Sequence, residues 1–451
     1  MKQAERFKVD FLHGPIIQSL LIFAIPVLIS NIFQQFYNMA DTMIVGNYLG
    51  DSSLAAIGAC TSIYDLLVGF ALGIGNGLAV VTARYFGAGD KEALKKAVAS
   101  SIIIGLVFSL VISRAGCIVL KPLLELLNTP AEIIEESYSY ISSIVMFTVV
   151  MFTYNLCAGF LRSVGNSLMP LVFLVIASVI NVGLDILFIT EFAMGIRGAA
   201  VATVIAQGIS AVLCLLYIWK KPPLLVPEKR HFIFDRELFA ELLGQGISMG
   251  LMGSIVSIGS VILQYGINGF GTLIIAGHTA ARKLFMFIGM PFGTMSAAIS
   301  TFVSQNRGAG NRERILKVMR YGFIFNVVLA GIGTGVLFVA ARPLVQLISG
   351  SSEPVVLSNA SLYLKVCGPF YAALGILLQT RGSLQGIGEK ILPLISSVIE
   401  CVGKILFVLL FIPRFQYMAV IFCEPVIWCV MMVQLLFAFY RNPFIRGTDK
   451  K

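Results

Sequence analysis

Asn181 and Asp185 stand four residues apart in the apolar run VIASVINVGLDILFIT, Val175 to Thr190, with no basic residue nearby in sequence. On a helix that spacing stacks both side chains on one face. Apolar residues cover the other faces, so the polar face points inward rather than at lipid. A carboxylate at the centre of a bilayer costs about 2.5–3.5 kcal/mol on insertion scales, and such a cost demands a use. Asp185 either takes up a proton or a cation, or hydrogen-bonds Asn181 or a neighbouring helix to hold a bundle together. A second acid, Asp41, lies near the outer end of the first apolar run, beyond Pro26. In a helix interior Pro26 removes a backbone hydrogen bond and introduces a kink or hinge. Glu400 and Lys404 repeat the i, i+4 spacing in the favourable order for a helical ion pair, which favours structural use. Glu424, next to Pro425, has no obvious partner in sequence. It is read either as a cation contact or as a group that satisfies a broken helix end.

The elements that carry these residues are membrane helices. The chain is 57% hydrophobic and only 12% charged, with a mean hydropathy of +0.89, against about 25% charged residues in soluble proteins. Its apolar blocks have the roughly 20-residue length that spans a bilayer as helix. Twelve spans are expected, near 15–39, 52–80, 96–119, 133–156, 167–189, 196–219, 239–268, 275–303, 317–340, 357–380, 391–412 and 416–440. The start, MKQAERFKVDFLHGP, is polar and charged, without the apolar core of a signal peptide, so the first span is expected to insert the chain. About two dozen of the 33 Lys and Arg fall in the two termini and the even-numbered connections. The connection after span 3 instead carries Glu132, Glu135 and Glu136. This is the positive-inside pattern, with both termini cytoplasmic. The net charge of +10 is thereby accounted for by topology, and no nucleic-acid partner is inferred. The eight cysteines lie in or beside apolar segments with no C-x-x-C pair and read as small buried hydrophobes. His13, His231 and His278 match no metal-ligand spacing, so neither a structural metal nor a cofactor is expected.

A repeat divides the chain. RYFGAGDKEALKKAV from Arg84 answers QNRGAGNRERILKVM from Gln305, with the glycine-alanine-glycine triplets 221 positions apart. LKPLLELL at Leu120 and ARPLVQLI at Ala341 keep that offset, and FLRSVGNSLMPL at Phe160 answers SLQGIGEKILPL at Ser383. The expected domains are a six-helix lobe over 1–219, a basic linker over 220–238, a second lobe over 239–440 and a tail over 441–451. Halves with an even number of spans are parallel repeats, the architecture of a rocking transporter.

At these motifs the sequence resembles the MATE (multidrug and toxic compound extrusion) family over essentially its whole length. AIPVLISNIFQQFYNMADTMIVGNYLG from Ala24, GFLRSVGNSLMPL, INVGLD and GIRGAAVATVIAQ from Gly195 carry the resemblance. The acids of the N-terminal half make it most similar to the branch named for DNA-damage-inducible protein F. The resemblance implies a V-shaped, all-α polytopic fold of two six-helix lobes. It implies export of cationic or amphipathic compounds against inward flow of protons or sodium. It also brings Asp41, Asn181, Asp185 and Thr203 together as a cation site, with Tyr140 from span 4 as the closest match to the family's tyrosine. Two carboxylates in low dielectric need a counter-charge, either a proton or Na+. Asn181, Thr203 and backbone carbonyls would add neutral oxygens suited to a hard cation.

The C-terminal half departs from this pattern. Aligning DILFI at Asp185 with KILFV at Lys404 puts Glu400 opposite Asn181 and Lys404 opposite Asp185. Span 7 has no acid, and Ser260 takes roughly the place of Asp41, so coupling is expected in the N-terminal lobe alone. The partners expected are lipophilic cations and membrane lipids, with the protein a monomer in the cell membrane. The rival reading is a lipid-linked saccharide flippase of the same superfamily, which would want several basic residues in its cavity. Arg114, Lys365 and Lys404 are the basic residues expected well inside spans. No acid/base or metal constellation suits a membrane-embedded enzyme.

Overall fold

The computed structural model describes residues 9–127, 129–220 and 223–448. The first eight residues, Lys221 and Pro222 of the expected linker, and the last three residues of the expected tail lie outside the described residues. All twelve expected spans are helices, and no strand occurs among the described residues. Spans 1 to 3 are Ile16–Leu49, Asp51–Gly87 and Lys91–Leu126. Span 4 is the pair Ile134–Met146 and Thr148–Ser163. Spans 5 and 6 are Leu168–Ile186 and Ile196–Lys220. Spans 7 to 9 are Arg236–Asn268, Thr272–Gly308 and Arg312–Ser349. Span 10 runs from Pro354 to Ile387 through a 3-10 turn at Gly368–Phe370. Span 11 begins as Ile391–Leu406, and span 12 is Tyr417–Arg441. Among the described residues eleven helices are long and apolar enough to cross a bilayer, and the bent pair of span 4 makes twelve.

The repeat reappears in the backbone. Gly89 and Gly310, 221 positions apart, take φ of 72° and 70°, a left-handed turn that glycine adopts without the Cβ clash. Just beyond them Asp90 accepts from the Ala93 amide and Asn311 from the Arg314 amide, matched N-caps that start spans 3 and 9. Spans 5 and 11 each relax into a π-helical turn, Leu187–Glu191 and Phe407–Phe411, at an offset of 220. Such turns frequently accompany functional positions, and these two begin two residues after Asp185 and three after Lys404.

Span 4 bends by 48° between its two segments, at Phe147, without a proline. Carbonyls freed by the bend find other donors, as they must inside a membrane. The Ser113 hydroxyl of span 3 donates to the Val145 carbonyl at 2.9 Å and reaches that of Met146 at 3.3 Å. Thr148 Oγ1 adds a bond to Val145 at 2.7 Å.

The helices pack as two compact units, one comprising residues up to Gly14 with Leu21–Ser254, the other Pro15–Leu20 with Ile255 onward. Ile74, Leu78, Leu94, Phe152, Phe160 and Cys214 anchor the main core of the first. Within that unit, spans 2 and 7 touch backbone to backbone. A Cβ on Gly73 would lie 2.6 Å from Gly250 Cα, and one on Gly77 2.6 Å from Gly246 Cα. Glycine at such a crossing lets helices approach closely in lipid, where packing rather than water drives association. The seam ends in a salt bridge between Arg84 and Glu241, whose other oxygen accepts from Tyr85 at 2.9 Å. In the second unit Phe292, Phe302, Tyr363, Tyr371 and Phe439 are almost fully buried.

Candidate functional site

Span 5 presents Asn181 and Asp185 on its buried face, both at 0% exposure, and span 1 brings Asp41 to them at 8%. The side chains of Asp41 and Asp185 come within hydrogen-bonding reach of one another. An ionised carboxylate only accepts, so the two can bond each other only when one carries a proton. Asp41 Oδ1, both oxygens of Asp185 and Asn181 Oδ1 find no hydrogen-bond partner among the described residues. Four orphan acceptor oxygens at one buried place are costly, and what would relieve them is positive: a proton or a small hard cation.

Thr203 of span 6 closes the site from another side. Its Oγ1 accepts from Tyr37 at 3.1 Å and lies 3.5 Å from Asn181 Nδ2. Tyr140, on the first segment of span 4, stands close enough to Asp41 and Tyr37 to interact electrostatically. It packs with Tyr64 against Val68, Ile144, Met151 and Ala200. The structure thus brings Asp41, Asn181, Asp185, Thr203 and Tyr140 together. Pro26 lies apart from them. Span 1 runs unbroken through it, and the Ser30 hydroxyl bonds the Pro26 carbonyl at 2.8 Å.

Two tyrosines of this site were not read from the sequence. Tyr37 is four residues before Asp41 and shares its face, a signal that was available. Tyr64 carries no local signal, because its relation to Asp41 depends on how span 2 packs.

The second unit holds a separate charged cluster. Lys404 Nζ lies 3.0 Å from Glu400 Oε1, 3.2 Å from Ser260 Oγ and 3.9 Å from Glu424 Oε1. Glu424, for which the sequence offered no obvious partner, is held by Arg282, whose Nη1 reaches both carboxylate oxygens at 2.7 and 2.6 Å. The Tyr363 hydroxyl donates to the same carboxylate at 2.9 Å. Arg282 therefore corrects the inventory of basic residues inside spans. It lies within span 8 and joins Glu424 across 142 positions of sequence, a distance at which sequence spacing says nothing of contact. Glu400, Lys404 and Glu424 form one ion-paired network in which every charge has an opposite neighbour.

The comparisons with known proteins agree with this architecture. A family model described as MatE matches residues 26–187 and again 249–410, once in each half. Among curated relatives, the probable multidrug resistance protein YoeA of Bacillus subtilis is 25% identical over 434 residues, covering 94% of this chain and 93% of its own. The probable multidrug resistance protein YpnP of the same organism is 27% identical over 391 residues, 87% of each chain. A solved structure of a multidrug resistance transporter in an outward-facing conformation shares the fold, with a TM-score of 0.89 at 22% identity. It covers 100% of this chain and 99% of its own.

Proposed function

Since the chain belongs to the MatE family, a family of transporters rather than enzymes, we propose that it is a secondary antiporter exporting lipophilic cationic or amphipathic compounds. The energy comes from protons or sodium ions flowing inward. The observation that carries this reading is the buried Asp41–Asp185 pair, whose facing oxygens lack protein donors.

A proton on either carboxyl would supply the missing donor and remove one of two facing negative charges. A sodium ion would find Asp41 Oδ1, the Asp185 oxygens and Asn181 Oδ1 as an all-oxygen set of the kind hard cations take. Either ion neutralises the site, and releasing it on the other side restores the unfavourable charged pair. That cycle links ion occupancy to whichever arrangement of the helices tolerates the charge, the differential interaction that coupling requires. Thr203 links Tyr37 of span 1 to Asn181 of span 5 and so holds the helices that carry the two acids. The Pro26 hinge would let span 1, which carries Asp41, bend during the cycle.

The remaining parts of the reading are lobes over 1–219 and 239–440, both termini in the cytoplasm, a monomer in the plasma or inner membrane, and the branch of DNA-damage-inducible protein F. The flippase alternative is less favoured. Arg282 and Lys404 are each held by carboxylates, which leaves neither free for an anionic saccharide lipid.

The test is transport by proteoliposomes under an imposed proton or sodium gradient, with ethidium as cargo. Wild-type protein should move the dye against its gradient with one of the two ions, and Asp185→Asn should abolish coupled export. Retained coupling in Asp185→Asn, with loss in Glu424→Gln, would move the ion site to the second unit.

A further inference from the structure

A groove of about 530 Å³ opens on the first unit between spans 3, 4 and 6. Phe152, Leu156 and Phe160 form its buried floor, while Leu106, Leu215 and Leu216 on its walls are about half exposed. Gly105 lets the Phe152 ring lie against span 3, because a Cβ there would collide with it. One end is roofed by Leu225, Val226 and Pro227 of the linker. Ion pairs pin that roof: Lys95 to Glu228 at 2.8 Å and Arg230 to Glu92 at 3.0 Å.

The chemistry changes sharply at the roofed end. Lys91 and Lys95 stand on the same helical face as the lining residues Val98, Ile102 and Ser109, by their spacing. Trp219, 70% exposed, lines the groove at the end of span 6 and is followed by exposed Lys220. Neither Lys91 nor Lys220 has a carboxylate partner among the described residues, whereas Lys95 does. Apolar walls, an interfacial tryptophan and, on the helix ends that flank the roofed end, two lysines without carboxylate partners match an anionic amphiphile. We propose that this groove binds an anionic phospholipid, with an acyl chain along Phe152 and Leu156 and the phosphate beside Lys91 and Lys220. The site is independent of the transport reading, since it needs only that the basic mouth lie at a membrane surface.

A second groove of similar size, lined by Ile395, Val402, Leu406 and Phe411 of span 11 and by Val426 and Val430 of span 12, serves as an internal contrast. Its lining is apolar throughout, so lipid there should be taken up without regard to headgroup.

The chain has two tryptophans, so Trp428→Phe leaves Trp219 as a lone reporter at the mouth. In phosphatidylcholine vesicles, brominated phosphatidylglycerol should quench Trp219 with about five- to ten-fold higher apparent affinity than brominated phosphatidylcholine, on the scale of one or two surface lysines. Lys91→Gln combined with Lys220→Gln changes only exposed side chains and should erase that preference while leaving quenching by both lipids. Equal quenching by the two lipids in the parent, or a preference that survives the double substitution, would overturn the proposal. So would relief of quenching by a stoichiometric lipophilic cation irrespective of headgroup, which would make the groove a vestibule for cargo.

Discussion

At the scale of single residues, the orphan oxygens of Asp41 and Asp185 set stability against the proposed ion cycle. Asp185→Asn replaces one acceptor by an amide donor that can reach Asp41. The protein should therefore gain about 1 kcal/mol and unfold at higher temperature in detergent, while losing coupled export. A lower unfolding temperature would mean that the carboxylate is structural. Asp41→Asn should behave alike, and the double variant should transport scarcely worse than either single, because groups acting as a unit are not additive. Glu424→Gln acts in the opposite direction. It leaves Arg282 and Lys404 without their shared anion and should cost about 3 kcal/mol, the scale of a broken buried pair. Adding Arg282→Gln should recover part of that loss, measured by thermal unfolding of both variants. The same two sites show what a sequence can disclose. Asp185 and Asn181 declare themselves by spacing and by the cost of a carboxylate in an apolar run, as do Glu400 and Lys404. Arg282 does not, since its partner lies on span 12 and only packing brings the two together.

At the scale of elements, the positions of all twelve helices were legible, because each must hide its backbone in a run of apolar residues long enough to cross the bilayer. Their ends were less so. Span 1 continues to Leu49 and span 2 to Gly87, past the apolar stretches that announce them, since helices persist into the interface. The bend of span 4 was illegible, as neither proline nor glycine marks Phe147 and the donor that permits it comes from span 3. Ser113→Ala should strand the Met146 carbonyl and cost about 1–2 kcal/mol, with faster amide exchange in the segments flanking Phe147. Unchanged exchange would show that the bend holds without Ser113. The glycine seam is a sharper test. Gly77→Ala sets a methyl 2.6 Å from Gly246 Cα, so spans 2 and 7 must separate, at about 1–3 kcal/mol for overpacking. Gly75→Ala, one turn-half away with open space around it, is the matched control and should be close to neutral.

For the whole molecule, everything depends on which side each connection faces. The proposed orientation, with the Lys220–Glu237 connection in the cytoplasm and the acidic turn at Glu132 outside, rests on the placement of the basic residues, and it decides which face of the protein would load the ion proposed for Asp41 and Asp185. The structure supplies suitable reporters: Phe234 in the linker is 73% exposed, and Glu132 is exposed as well. Of the eight cysteines, Cys60, Cys157, Cys214, Cys367 and Cys423 are buried, but Cys117, Cys401 and Cys429 are partly accessible, so the background must first be freed of thiols. In that background a membrane-impermeant maleimide applied to intact cells should label Glu132→Cys and leave Phe234→Cys untouched until the membrane is opened. The export assay is read alongside, because a variant that no longer moves ethidium could have inserted wrongly. Reversed labelling with transport intact would turn the molecule over in the membrane. The acids would keep their place in the helices and the drug would still move against the inward ion gradient, but the face of the protein from which the acids load the ion would be the opposite one.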